Sequence, residues 1–531
     1  MMAIENDVII VGAGFSGMYL LKRLREQGFC VRVIEAGDDV GGTWYWNRYP
    51  GARCDVESLQ YGFSFDEDLQ REWSWSERYA AQPEILSYAS HVAERFDLRK
   101  DISFNTRVTK ARFSEQESCW EIETDQGTTE KTTYLVLATG CLSVPNDPKI
   151  KGLENFHGPV YHTGRWPKEK VDFHGKKVGV IGTGSSAIQS IPLIAEEAEQ
   201  LYVFQRTPNY AVPAQNKPMD KAVEAEVKSN YKTLRDSARS GFSGIYIPFA
   251  QDESAKAMSP EERRKKFQER WDYGGLTFMM SFKDLLLDDE SNAAAREFVQ
   301  EKIADIVDDP ETAKLLTPNT VIGCKRLCVD TGYFQTYNKP HVHLVDIAQS
   351  GIDEITTHGV KAGGKEYQLD SLVLATGFDA MTGAIKKIHI EGPEGTTIQE
   401  KWSEGPKSYL GISVAGFPNM FMVTGPGSPS VLTNMIMAIE HHVDWITQCL
   451  VDLRDRGMAR IEPEVSAEEN WVAHNREVAD SNLRSTCSSW YVGANIPGKP
   501  RVFMPYIGGF PAYVEHCKTI QASGYDGFSI S

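Results

Sequence analysis

The sequence predicts an α/β protein with two Rossmann-like dinucleotide-binding domains, the second carrying a helical insertion. Three observations lead there. A β-branched run at residues 7–11 passes directly into Gly12-Ala13-Gly14-Phe15-Ser16-Gly17 and then a helical pattern with Met18, Leu20, Leu21 and Leu24 on one side. A second run, residues 177–181, passes into Gly182-Thr183-Gly184-Ser185-Ser186-Ala187 and another helix. The hexapeptide Leu-Val-Leu-Ala-Thr-Gly stands at 135–140 and again at 372–377, the mark of an internal duplication.

At the first turn each glycine has a physical task. The first makes the tight turn, the second lets backbone approach a pyrophosphate, and the third lets helix and strand pack closely. The helix N-terminus offers free N–H groups to the phosphates. A strand at 30–34 follows and ends in Glu35, near the spacing at which a carboxylate takes the ribose hydroxyls. Strand, glycine turn, helix, strand and acid together are far more specific than the glycines alone.

At the second turn Ala187 replaces the third glycine and still permits close packing. The following strand, 201–205, ends in Arg206-Thr207 and not in an acid. A carboxylate there would repel a 2′-phosphate, whereas a guanidinium can hold one through two hydrogen bonds. Two sites, one with a ribose acid and one with a phosphate arginine, imply two cofactors on one chain: FAD at the first and NADPH at the second. A surface arginine beside a proline turn is the plain alternative for Arg206.

The bulk properties agree with this. A chain of 531 residues is too long for one core. Hydrophobic content of 41% and charged content of 24% are those of ordinary globular proteins. A net charge of −17 argues against nucleic acid or an anionic membrane as partner. No apolar run approaches the roughly 18 residues of a membrane span, and the first residues read as a strand, not a leader. The expectation is a cytoplasmic protein, its oligomeric state unread and a monomer among the options, with nine scattered cysteines that are mostly buried thiols. No metal is called for, and Cys324 and Cys328, with three residues between them, are not a redox Cys-x-x-Cys pair.

Other stretches carry chemistry less plainly. Residues 41–55, Gly-Gly-Thr-Trp-Tyr-Trp-Asn-Arg-Tyr-Pro-Gly-Ala-Arg-Cys-Asp, crowd aromatics between glycines and a proline. They read as core or as a wall over a flat cofactor, and Asp55 as a turn carboxylate or a site acid. Residues 102–135 alternate as strands do. Residues 215–320 are charged with helical periodicity, most simply a solvated face, and read as an insertion covering the substrate side. Lys325-Arg326 on composition is a solvated basic pair. The tail from 385 reads as irregular, apart from a helix opening after the small-residue loop 425–434 and continuing to Trp445.

Between the two turns lies Phe156-His157-Gly158-Pro159-Val160-Tyr161-His162-Thr163-Gly164-Arg165-Trp166-Pro167. It could be a linker whose rings pack at a domain junction. It also fits Phe-x-Gly-x3-His-x3-Trp-Pro, and with that the chain resembles the flavin-dependent Baeyer–Villiger monooxygenases, over essentially its whole length. The longer form of the 425–434 loop resembles the phenylacetone monooxygenase branch. Cys141, where that branch carries a glutamine, is a departure, so substrate range is not carried over.

What the resemblance implies is specific. FAD contacts fall on Gly12, Gly14, Phe15, Ser16, Gly17, Glu35, Gly42, Thr43, Trp44, Trp46, Arg53, Asp55, Tyr61, Val108 and Met435. NADPH contacts fall on Thr183, Gly184, Ser185, Ser186, Gln189, Arg206, Thr207, Lys325 and Arg326. Arg326 is the catalytic arginine, Asp55 its partner, and Trp490 sits in an active-site loop. Ser430, Val431, Leu432 and Met435 shape the pocket. Phe156, Gly158, His162, Trp166 and Pro167 couple nicotinamide binding to closure and do not touch substrate.

The domains implied are 1–145 and 385–531 for FAD, 146–214 and 321–384 for NADPH, and 215–320 as insertion. The implied reaction has NADPH reduce FAD, whose C4a-peroxide with O2 then attacks a ketone to give an ester or lactone, with sulfoxidation as a side activity. An N- or S-oxidising flavin monooxygenase and an NADPH-dependent flavin reductase are the rivals. The first is expected to vary the Trp166-Pro167 loop, and the second needs a redox cysteine pair or a partner surface. A flavoprotein sensor would not need Arg326.

Overall fold

The computed structural model describes residues 4–531. Two sheets organise it. In the first, the parallel strands Asn6–Val11, Val31–Ile34 and Ile102–Ser103 lie side by side. The strand Thr129–Leu137 pairs with Asn6–Val11 on one side. On its other side it meets Cys119–Thr124 along its first half and Met420–Met422 along its second. Val108–Ser114 and His389–Glu391 complete the edge. In the second sheet all five strands are parallel, in the order Val342–Asp346, Gln200–Gln205, Lys177–Ile181, Ser371–Leu374, Val160–His162. Such strands are covered on both faces and read as continuous apolar runs; Ser371–Leu374 is buried throughout.

The duplication is visible in the backbone. Gly12 N donates to Ile34 O, and Gly182 N donates to Phe204 O. Ala138 N donates to Val11 O, and Ala375 N donates to Ile181 O. Both first glycines sit at positive φ, +105° and +115°. A Cβ on Gly12 would lie 2.6 Å from Ala138 O, and one on Gly182 would lie 2.4 Å from Ala375 O. The repeated Leu-Val-Leu-Ala-Thr-Gly strand is therefore what each glycine turn rests against.

The charged stretch 215–320 is helical, as its periodicity predicts, but it divides. Lys221–Ser229 and Tyr231–Ser240 carry Val227, Tyr231 and Leu234 onto the core of the first sheet. Pro260–Tyr273, Asp289–Ile306 and Pro310–Leu316 carry Phe267, Trp271, Phe298 and Leu316 onto the core of the second. A solvated face is thus only one side of it.

The tail departs from expectation. It holds three long helices, Met435–Asp455, Val465–Asp480 and Phe510–Ala522. The first runs ten residues beyond Trp445 because Ile446, Cys449, Leu450 and Leu453 continue its buried face. Each such side chain contributes roughly 1.5–3 kcal/mol on full burial. This helix packs on Phe15–Glu26, where Tyr19 Oη donates to Asp444 Oδ1 at 2.8 Å. Among the described residues no helix is long and apolar enough to cross a membrane.

The cysteines also differ in part. Six of the nine are buried thiols and Cys30 is exposed, but Cys324 and Cys487 form a disulfide. Their sequence separation of 163 leaves no local spacing to read.

Candidate active site

One cavity of ≈ 1940 Å³ receives both glycine turns. At the first, Gly17 is not on its wall: a Cβ there would lie 1.9 Å from Gly12 O, so this glycine serves helix–strand packing. A Cβ on Gly42 would lie 2.8 Å from Gly14 Cα, so the 41–46 segment is backed closely onto the turn. Glu35 ends its strand inside the cavity, its Oε2 accepting from Ala13 N and its Oε1 from Gly37 N, both at 2.7 Å. Burial pushes its carboxyl up against those two hydrogen bonds. A carboxylate has about four acceptor sites, so two remain for ribose hydroxyls.

Phe15, Ser16, Thr43, Trp44, Trp46, Arg53, Tyr61 and Val108 all line the same cavity. Trp44 Nε1 donates to Tyr61 Oη at 3.2 Å, which fixes two rings edge to face. Met435 opens the helix Met435–Asp455, whose N-terminus, capped by Asn434, faces this end with Ile436 and Ile439. The positive end of a long helix suits the electron-rich part of a reduced flavin. This donor set fits FAD.

At the second turn Thr183, Gly184, Ser185, Ser186, Gln189, Arg206 and Thr207 line the cavity. Gly184 has open space at its Cβ position, as a phosphate cradle requires. Gln189 is already engaged: its Nε2 donates to Arg53 O at 3.0 Å and its Oε1 accepts from Tyr49 Oη at 2.8 Å, so it joins the two halves. Arg206 is exposed and Lys325 half-buried, and among the described residues neither pairs with a carboxylate. Burial, and then the charge of Arg206, holds the Lys325 ammonium below its ordinary range. Two neighbouring cations without a counter-ion suit a 2′-phosphate.

Arg326 lines the cavity between these ends of the site. Its Nε donates to Asp55 Oδ2 at 2.7 Å, its Nη2 to Asp55 Oδ1 at 2.8 Å, and its Nη1 to Val431 O at 2.8 Å. Burial is the largest influence on the guanidinium and disfavours its charge, but Asp55 outweighs it and leaves the pKa raised. Its side chain is 29% exposed, and that surface opens into the cavity.

The same cavity is lined by Cys141, Leu142, Ala380, Val431, Met435 and Trp490, an apolar wall that Arg326 touches at Val431 O. Two expected pocket residues are not on it. Ser430 is fully buried, its Oγ 3.7 Å from Met381 Sδ, and Leu432 packs into the cluster with Cys141 and Tyr491. Ser430, at φ +42°, starts a 3-10 turn, Ser430–Leu432, of which Val431 alone lines the cavity.

The fingerprint loop stands behind the wall. Gly164 N donates to His162 Nδ1 at 3.0 Å, so the neutral ring carries its proton on Nε2, which lies 3.1 Å from Thr376 Oγ1 and 3.3 Å from Asn146 O. Burial holds the imidazole below its ordinary pKa. Phe156 packs among Ile355, Leu369 and Leu372, and Trp166 against Tyr161 and Phe173. A Cβ on Gly158 would lie 2.3 Å from Asp370 O. Phe156, Gly158, His162, Trp166 and Pro167 thus reach no cavity surface; they present Gly164 and Arg165, which do.

Sequence reasoning missed Tyr491, 1% exposed and close enough to raise the Arg326 pKa, and the Cys324–Cys487 bond beside it. It also missed Thr424, held at φ +56° with its N–H donated to His442 Nδ1 at 3.0 Å.

Residues 9–254 match the family model described as pyridine nucleotide-disulphide oxidoreductase. A Baeyer–Villiger monooxygenase of Pseudooceanicola batsensis is 41% identical over 528 residues, 98% of this chain and 95% of that one. A phenazine N-monooxygenase of Lysobacter antibioticus is 40% identical, over 98% of this chain and 96% of that one. Among solved structures, an oxidised steroid monooxygenase bound to NADP superposes with a TM-score of 0.95 at 50% identity, covering 99% of both chains. The OTEMO complex with FAD and NADP superposes at 0.96 with 38% identity, covering all of both. Likeness of this depth extends over nearly the whole length of the chain, and the chain belongs to the flavin-dependent Baeyer–Villiger monooxygenases, with FAD and NADPH as its cofactors.

Proposed function

We propose that this chain inserts one oxygen atom of O2 beside the carbonyl of an apolar ketone, giving an ester or lactone, with Arg326 as the catalytic cation. The observation that carries this is the bidentate Arg326–Asp55 pair facing an apolar pocket. Bound FAD supplies the oxygen-activating chemistry and NADPH the hydride that starts it. Arg326 stays charged under almost any burial, which lysine does not. Its charge, fixed in advance by Asp55 and Val431 O, favours a negative oxygen in the site and then the oxyanion on the attacked carbonyl carbon. Asp55 keeps the guanidinium paired until that charge develops, since an unpaired buried cation is costly. The apolar lining excludes water and strengthens each of these terms.

The cofactors divide the chain. Residues 1–145 with 385–531 form the FAD side and 146–214 with 321–384 the NADPH side, with 215–320 inserted between the two parts of the latter. The composition of the two sheets supports that division.

A second reading has a specific support: the 40% identity to a phenazine N-monooxygenase. Oxidation of an electron-rich nitrogen or sulfur would use the same cofactors. The experiment is to supply the holoenzyme with NADPH, air and a panel of cyclic, aryl and long-chain ketones, sulfides and aza-aromatics, and to identify products by mass. Esters or lactones select the first reading. N-oxides or sulfoxides alone select the second, and hydrogen peroxide alone overturns both.

A further inference from the structure

The Cys324–Cys487 bond takes no part in the oxygenation just argued, yet it joins two parts of that site. Cys324 precedes Lys325 and Arg326 in the chain and is 2% exposed. Cys487 stands three residues before Trp490 and is half-buried. Both line the cavity, so a small oxidant admitted to the site reaches them. Their Cα atoms are 5.7 Å apart, within the range for disulfides. Arg484 Nε donates to Gly323 O at 3.0 Å and reinforces the contact.

The far end of the same loop is held without a covalent bond. Lys499 Nζ meets Asp379 Oδ1 at 2.6 Å and Ala380 O at 2.8 Å, and Asn495 Nδ2 donates to Phe378 O at 2.7 Å. The loop bearing Trp490 is therefore tied at both ends, once by polar contacts and once by sulfur. Only the sulfur tie depends on redox state. With it open, that end keeps only non-covalent contacts, among them Arg484 Nε to Gly323 O and Leu483 N to Leu286 O.

We propose that Cys324 and Cys487 are a reversible thiol–disulfide site, oxidised by hydrogen peroxide, whose closure pins the Trp490 loop to the Arg326 segment and slows exchange of the nicotinamide nucleotide. The thiolate of one cysteine attacks peroxide: an S–O bond forms, the O–O bond breaks, and hydroxide leaves and takes up a proton as water. The second thiol gives up its proton and attacks that sulfur: the S–S bond forms, the S–O bond breaks, and a second water leaves. Two electrons pass from the two sulfurs to one peroxide. A dithiol reductant reverses the step by exchange. The neighbouring Cys328 is not a competitor, since its Sγ is enclosed by Ser185 and Asn209 and burial raises its pKa to about 12.

The test uses holoenzyme with FAD and NADP+ in a Cys30→Ser background, which removes the exposed thiol. One portion is treated with hydrogen peroxide and one with a phosphine reductant. Three quantities are read: peptides joined through 324 and 487 in an unreduced digest, the rate of limited proteolysis within residues 488–498, and the dissociation rate of NADP+. Expected are joined peptides only after peroxide, with loop cleavage and NADP+ release each slowed severalfold and restored by the phosphine. Cys487→Ser should behave as the reduced protein under both treatments, its flavin content certifying the fold. If that variant fails to hold flavin, the two portions of the background protein still decide. Alkylation of both cysteines after peroxide would overturn the proposal. So would a joined pair with unchanged cleavage and NADP+ release. None of these readouts needs a ketone, so they stand or fall apart from the oxygenation itself.

Discussion

Arg326 and Asp55, 271 residues apart in sequence, meet through two parallel hydrogen bonds of 2.7 and 2.8 Å, the fork-on-carboxylate geometry that fixes a guanidinium in plane. The third contact, to Val431 O, ties the same guanidinium to the loop that aims Val431 into the pocket. One cation thereby registers the segment ending at Asp55, the approach to the strand Cys328–Asp330 and the cavity wall at Val431.

Arg326→Ala should let NADPH bleach the flavin at a near-normal rate while ester formation falls by a factor on the order of 10²–10³ or more, the cost of losing an oxyanion-stabilising donor. Stopped-flow absorbance reports the first half and product analysis the second. Unchanged oxygenation would remove Arg326 from the mechanism.

Arg206→Ala should raise the KM for NADPH far more than that for NADH. A charged hydrogen bond contributes about 1.5–3 kcal/mol, so the NADPH term should rise roughly tenfold to a hundredfold. Lys325 stays behind to hold part of the phosphate charge. Equal effects on the two nucleotides would place the 2′-phosphate elsewhere.

Acid should loosen the flavin site through His442. Its Nδ1 accepts from Thr424 N on the cavity wall, and its Nε2 lies 2.7 Å from Tyr513 Oη. Burial lowers its pKa to about 3 and that of His441 to about 4. Unfolded histidines titrate near 6.5. Between those values the unfolded chain binds more protons, so stability is full above about pH 6.5 and declines as pH falls below it. The slope is on the order of 1.4 kcal/mol per pH unit for each fully titrating group. His442→Asn keeps an acceptor for Thr424 and removes one titration. Its melting temperature, measured with excess FAD, should fall less steeply from pH 6.5 to 5 than that of the parent. Parallel curves would show that His442 does not titrate on unfolding in this window.

What could be read from sequence was what is decided locally. Gly12, Gly14, Glu35 and Arg206 each sit where a turn or a strand end dictates the residue type, so a short window suffices. The site's other half is decided by distant partners. Asp55 and Arg326 were named through family likeness, but nothing near either one announces their pairing. Cys324 and Cys487 gave no signal for the same reason. The tail read as irregular apart from one helix, and the inward-facing side of that helix was not legible, since it buries Glu440 and His442 beside apolar residues: Glu440 Oε1 and Oε2 accept from Ser64, and burial still raises its carboxyl. Tertiary partners make such positions inward-facing where polarity predicts the reverse. Ser430 and Leu432 were given to the pocket by family likeness, and in the 3-10 turn Ser430–Leu432 only Val431 lines the cavity.

The two glycine turns allow the cofactors to be assigned separately. Gly12→Ala would press a methyl group against Ala138 O from a backbone at φ +105°, and Gly182→Ala would do the same against Ala375 O at φ +115°. Neither backbone suits an L side chain, so each turn must shift away from its repeated strand, and the phosphates it cradles lose their N–H donors. Gly12→Ala should purify largely without flavin colour. Gly182→Ala should purify yellow, with one FAD per chain, yet show little reduction by NADPH and full bleaching by dithionite. Absorbance during purification and anaerobic titration separate these outcomes. A yellow Gly12→Ala and a colourless Gly182→Ala would reverse the assignment of FAD to the first turn and NADPH to the second.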